Sequence, residues 1–177
     1  MTGPVAKRYA RALFALASED GKIEAYGAEL ARVVETFRDK RLAALARSAA
    51  IDSKRKREMT GQVVGALGVS PRVASFVGLL AEKGRLPFLE AIGEQYERFV
   101  DRALGRVRAR VRSARPLPEE DRARISELFE RETGKRVLAE VSVDPDLLGG
   151  VVVEIAGRVY DGSIRTRLEA IRRALAG

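Results

Sequence analysis

The apolar residues of this 177-residue chain change their period once, near residue 105, and that change constrains the fold more than any other feature. Upstream, apolar residues recur at helical spacing in segments near 4–19, 22–38, 39–48, 52–67, 71–83 and 87–104. The breaks between them are short: Asp20-Gly21, Ala50-Ile51-Asp52-Ser53, Gly68-Val69-Ser70-Pro71 and Gly84-Arg85. Consecutive helices with connections this short predict an antiparallel bundle. Asp52 and Ser70 are placed as N-caps, Ser70 with Pro71 at the first helical position, and Pro87 is read in the same way as a helix-starting proline.

Beyond Gly105 the sequence Arg106-Val107-Arg108-Ala109-Arg110-Val111-Arg112 alternates strictly, so Val107, Ala109 and Val111 face one way and the arginines the other. This is the pattern of a half-buried strand. After Pro116-Leu117-Pro118 an amphipathic helix is expected from about 118 to 133. It has Glu119, Glu120 and Asp121 in its positive first turn, Ile125, Leu128 and Phe129 on its buried face, and Gly134 as its stop. The β-branched runs at 137–143 and 150–155 read as strands, and Asp144-Pro145 with Gly149-Gly150 between them predicts a hairpin with a long, bent connection. A tighter turn at Ala156-Gly157-Arg158 leads into Val159-Tyr160. Ser163 is placed to cap a terminal helix whose seam is Ile164, Leu168, Ile171 and Leu175. The fold class is therefore α+β: an N-terminal six-helix antiparallel bundle over 1–104, then a small C-terminal α/β module of strand, helix, hairpin strands and terminal helix over 105–177.

Composition limits the chemistry. There are no cysteines, histidines or tryptophans, which removes disulfides, zinc sites built on Cys or His, and every Ser-His or Cys-His catalytic pair. No phosphate-binding or nucleophile-elbow motif occurs, so no catalytic residue, metal or cofactor is expected. No apolar run approaches the ~20 residues needed to span a bilayer, and the N-terminus lacks the apolar core of a signal peptide, so no direct membrane insertion is expected. The net charge of +8 invites a nucleic-acid reading. The charge is spread, however: residues 1–100 hold 17 basic and 12 acidic residues, and 101–177 hold 16 and 13. Lys54-Arg55-Lys56-Arg57 points all round a helix, and the arginines of 106–112 have no aromatic neighbours for base stacking. A helical nucleic-acid-binding or adaptor protein is the alternative, with no nucleic-acid partner expected.

Four segments carry a family resemblance. They are Val5 to Ala17 (VAKRYARALFALA), Leu79 to Leu86 (LLAEKGRL), Val141 to Val153 (VSVDPDLLGGVVV) and Arg158 to Ile171 (RVYDGSIRTRLEAI). In this order and at this length they resemble the delta subunit of the bacterial rotary proton-translocating ATP synthase, homologous to the mitochondrial oligomycin-sensitivity-conferring protein. The resemblance implies a non-catalytic stator subunit, peripheral on the cytoplasmic face of the bacterial cell membrane as part of the synthase. It implies two partners: N-termini of the alpha subunits of the catalytic head, and C-termini of the peripheral-stalk b subunits.

It also implies where the surfaces lie. The first helix is apolar over about 200° of its circumference, more than the ~100° a single bundle contact needs, and in the family the first and fifth helices form a groove for an alpha-subunit helix. The residues carried over to that groove are Val5, Tyr9, Ala12, Leu16, Ser75, Gly78 and Leu79. Those assigned to the stalk-binding module are Leu148, Gly149, Gly150, Asp161, Gly162 and Arg165. Gly149-Gly150 stands where loop becomes strand, a place expected to need positive φ or close backbone approach.

Overall fold

The computed structural model describes residues 3–48 and 50–166 and is α+β. The chain divides into two compact units, Met1–Val100 and Asp101–Gly177. In the first, α1 (Gly3–Glu19), α2 (Ile23–Thr36), α3 (Lys40–Arg47), α4 (Ser53–Ala66), α5 (Pro71–Glu82) and α6 (Leu89–Ala103) follow in order, with Asp101, Arg102 and Ala103 of α6 counted in the second unit. In the second, β1 (Arg106–Ser113), α7 (Glu119–Thr133), β2 (Arg136–Val143), β3 (Val151–Ile155) and β4 (Arg158–Asp161) follow. Leu168, Ile171 and Leu175 of the expected terminal seam lie outside the described residues.

Side chains at the helix ends show how the helices of the first unit run. Asp20, after α1, pairs with Arg72 at the start of α5 at 3.4 Å and accepts from the Tyr26 hydroxyl at 2.5 Å. Arg57, near the start of α4, pairs with Glu82 at the end of α5 at 2.8 Å. Arg38, past the end of α2, pairs with Glu90 at the start of α6 at 2.8 Å, while the Tyr96 hydroxyl donates to the Ile23 carbonyl at 2.9 Å. These contacts run α1, α4 and α6 one way and α2 and α5 the other. The core they enclose includes Ala6, Ala10, Leu13, Leu30, Val33, Val73, Val77, Leu80, Ile92 and Tyr96. Phe14 packs its ring against Tyr96 and Phe99.

Asp52 caps α4 as expected, accepting from the Arg55 N–H at 2.9 Å. Ser70 does not cap α5 with its side chain: its N–H and hydroxyl both donate to Glu29 Oε2, at 2.9 and 2.6 Å. A carboxylate reaching across from α2 is a stronger acceptor than a hydroxyl at the positive end of a helix. Pro87 lies inside a 3-10 turn, Leu86–Phe88, and α6 begins two residues later than expected.

The second unit is a four-stranded sheet in the order β2-β1-β3-β4 with α7 on one face. Strand β1 pairs in parallel with β2, with α7 as the crossover, and antiparallel with β3. The hairpin expected between 137–143 and 150–155 is thus wrong: β1 lies between the two strands. A β-branched run signals a strand but carries no information about its neighbour, and the loop 144–150 is long enough to pass the end of β1. The tighter turn does form a hairpin, β3 with β4. Ala109, Val111, Val137, Val153, Ile155 and Phe129 make the core of this unit. Leu128 is 63% exposed, contrary to its expected place on the buried face, because it lies about 100° round the helix from Phe129. Gly134 ends α7 with φ 65, as the sequence predicts.

Burial raises the pKa of the Tyr96 phenol well above its ordinary value, because a phenolate there would lose its hydration. A group whose pKa rises on folding stabilises the fold fully below its unfolded pKa of about 10 and loses that stabilisation as pH climbs toward the folded value. We expect alkaline unfolding to set in above pH ~10, and Tyr96→Phe to cost about 1 kcal/mol at neutral pH while making the alkaline decline shallower. Thermal melts across alkaline pH check this; an unchanged decline in Tyr96→Phe contradicts it.

Candidate functional site

Two places gather the residues singled out by sequence. The first lies on α1 and α5. In α1 the buried face is Ala6, Ala10, Leu13 and Ala17, and one flank, carrying Phe14, packs against α6. On the opposite flank Val5, Tyr9 and Leu16 are half-buried and Ala12 is exposed. Positions 5, 9, 12 and 16 recur at i, i+4, i+7 and i+11, so they form one apolar strip along the helix. The strip faces the side on which Asp20 ties α1 to α5. On α5, Leu79 is 41% exposed and Ser75 is exposed beside it. Gly78 is turned elsewhere: it is buried toward α4, where an added Cβ would meet Arg57 Cγ and Nε at 3.9 Å. It lies about 100° from Leu79 on the helix, which separates it from the strip.

The second place is in the C-terminal unit, where the two segments 141–153 and 158–166 touch. The Gly162 N–H donates to the Val151 carbonyl at 2.9 Å and the Ile164 N–H to the Gly149 carbonyl at 3.0 Å, extending the β3–β4 pairing past the ends of both strands. At this crossing Gly150 has φ 80, and a Cβ there would run into the Gly162 carbonyl oxygen and the Ser163 Cα. Gly149 has ordinary φ, and a Cβ on it would meet only the Ile164 side chain. Gly150 therefore meets both expectations, positive φ and close backbone approach.

Around the crossing, short polar contacts fix each turn. Asp161 accepts from the Ser163 N–H at 2.9 Å and from the Thr166 hydroxyl at 2.8 Å. The Thr166 N–H in turn donates to Ser163 Oγ at 3.3 Å, so Ser163 caps the helical turn at 164–166 as expected. These donors, the Ser163 N–H first, hold the Asp161 carboxyl below its usual range. Asp144 accepts from the Asp146 N–H at 3.1 Å and from Arg112 at 3.0 Å. Leu148, in left-handed backbone with φ 58, is 71% exposed, and Arg165 is exposed on the first helical turn. Neither Glu29 at the start of α5 nor Asp20 between Tyr26 and Arg72 was singled out by sequence, since the partner of each lies tens of residues away or on a turn of unspecified geometry.

The arginines of β1 do not form an open basic stripe. Arg108 pairs with Asp101 at 2.6 Å and Glu140 at 2.7 Å, Arg110 with Glu154 at 3.9 Å, and Arg112 with Asp144 at 3.0 Å. Among the described residues no group of three or more His, Cys, Asp or Glu is placed to hold a metal ion, and no helix is long and apolar enough to cross a membrane.

The glycines give a graded expectation. Gly157, with φ 80 and nothing within 4 Å of an added Cβ, carries backbone strain alone, so Gly157→Ala should cost about 1 kcal/mol. Gly150→Ala adds a clash with backbone and should cost more, at least about 3 kcal/mol. Gly149→Ala should fall below Gly150→Ala, since the tip of Ile164 can move aside. Urea unfolding of the three variants tests the order, and Gly150→Ala no worse than Gly157→Ala would refute the crossing as a constraint.

Known proteins resemble this chain over nearly its whole length. The profile of the family described as ATP synthase delta (OSCP) subunit matches residues 5–175. ATP synthase subunit delta of Citrifermentans bemidjiense is 39% identical over 175 residues, covering 98% of this chain and 97% of that protein. ATP synthase subunit delta of Anaeromyxobacter dehalogenans strain 2CP-1 is 36% identical over 178 residues, covering 99% and 98%. A chain in the cryo-EM structure of the Toxoplasma gondii mitochondrial ATP synthase hexamer shares the fold at a TM-score of 0.70, with 21% identity and 97% of each chain covered. The chain belongs to the ATP synthase delta (OSCP) subunit family and is a non-catalytic stator component of ATP synthase.

Proposed function

We propose that this chain ties the catalytic head to the peripheral stalk, its N-terminal unit holding an alpha-subunit N-terminus and its C-terminal unit holding the C-termini of the b subunits. Torque from proton flow would otherwise turn the head with the rotor, so a connector needs one surface for each side. The observation that carries the reading is the pair of separate surfaces, each in a unit with its own apolar core. On the head side the occupant is an amphipathic helix laid against Val5, Tyr9, Ala12, Leu16 and Leu79, with Ser75 at the edge. Apolar docking of this kind needs no catalytic group. On the stalk side Leu148 and Arg165 offer exposed side chains to the partner, and Gly149, Gly150, Asp161 and Gly162 hold the backbone that presents them. The chain works as a peripheral protein on the cytoplasmic face of the membrane. The alternative nucleic-acid reading draws no support from β1, whose arginines are engaged by carboxylates.

Ala12→Asp and Leu79→Asp each place a carboxylate in the apolar contact, and desolvating it unpaired costs several kcal/mol. We expect binding of an alpha-subunit N-terminal peptide to weaken at least about a hundredfold, or about 2.7 kcal/mol, with the melting temperature nearly unchanged, since both positions are exposed. Calorimetric titration tests this, and unchanged affinity would move the docking site elsewhere. Residues 1–104 retain all of α6 and should fold alone; circular dichroism of that fragment should show a cooperative helical melt, whereas a disordered fragment would contradict the division.

A further inference from the structure

The apolar strip on α1 and α5 is electrically lopsided. The ion pairs at the helix ends set which residues share an end: Asp20 with Arg72 at one, Arg57 with Glu82 at the other. The start of α1 lies at the same end as the close of α5, because α1 runs against α2 and α5 while Phe14 of α1 packs beside Phe99 of α6. The first halves of α1 and α4 and the last turn of α5 thus meet at that end. At that end Arg8 lies one turn from Ala12 on α1 and Lys83 one turn from Leu79 on α5, both exposed, while Glu82 pairs with Lys83 and Arg57. The opposite end holds Glu19, Asp20 and Arg72.

Arg8 lies over the Tyr9 ring at 5.3 Å from its centroid, at the border of the strip. A cation poised there can meet a carboxylate on a docked helix without leaving the ring.

We propose that Arg8 and Lys83 are specificity-determining residues of the docking strip: the helix it accepts carries acidic residues beside its apolar face, at the end that lies over the start of α1. This rests on the head-binding reading above and adds the chemistry and direction of the occupant. Like charges facing these residues are repelled, and opposite charges speed encounter. The apolar strip then supplies the contact that salt does not screen.

The test uses the full chain and a synthetic N-terminal peptide of the alpha subunit from the same organism, with association rates measured at low and high salt. The double variant Arg8→Glu/Lys83→Glu should associate at least about tenfold more slowly than wild type at low salt, and the difference should shrink at high salt. Exchanging the peptide's acidic residues for lysine should restore fast association with the double variant and slow it with wild type. If the double variant does not melt like wild type, Arg8→Gln/Lys83→Gln replaces it, with a smaller slowing expected in the same direction. Equal rates for wild type and variant, or no gain from the charge-swapped peptide, overturn the proposal while leaving the docking strip in place so long as Leu79→Asp still abolishes binding. Failure of the peptide to bind wild type at all overturns the head-binding reading itself.

Discussion

The crossing of Gly150 and Gly162 governs the C-terminal unit, because backbone there approaches backbone with no room for a Cβ. From it follow the extension of β3 and β4 beyond their paired residues, the placement of Asp161 to gather the Ser163 and Thr166 donors, and the exposure of Leu148 on the neighbouring left-handed residue. Segments 141–153 and 158–166 each supply half of the crossing. Strain at Leu148, a non-glycine residue with positive φ, is stored beside this fixed point.

In the helical unit the equivalent constraint is the set of side chains that join helix ends. Asp20 serves Tyr26 and Arg72, and Glu29 serves the start of α5. Most of these pairs are exposed, and exposed ion pairs contribute only about 0–1 kcal/mol each. Their value is directional: they determine which ends meet. Burial of residues such as Leu13, Leu30, Leu80 and Ile92 supplies the stability. These directions also bring the first halves of α1 and α4 to the same end as the close of α5.

Local features were legible in the sequence, and pairings were not. The change of period at 105 is the start of β1, the caps at Asp52 and Ser163 form, and Gly134 and Gly150 take the conformations their contexts predict. These depend on residues a few positions apart. The β2–β3 hairpin was misread because the strand between them comes from well upstream, beyond α7, as the parallel register of Arg106 with Arg136 makes plain. Leu128 was misassigned because two adjacent apolar residues on a helix cannot both face one sheet. Ser70 and Gly78 met partners, Glu29 and Arg57, on other helices, which no window on α5 contains.

The central claim is that one chain holds head and stalk at once through independent surfaces. Sedimentation velocity of the wild-type chain mixed with catalytic head and a soluble b-subunit fragment measures it directly. The account predicts one boundary containing all three, with affinity for each partner unaffected by saturation with the other. Displacement of the head by the b fragment, or a single substitution that abolishes both interactions without unfolding the chain, would contradict it.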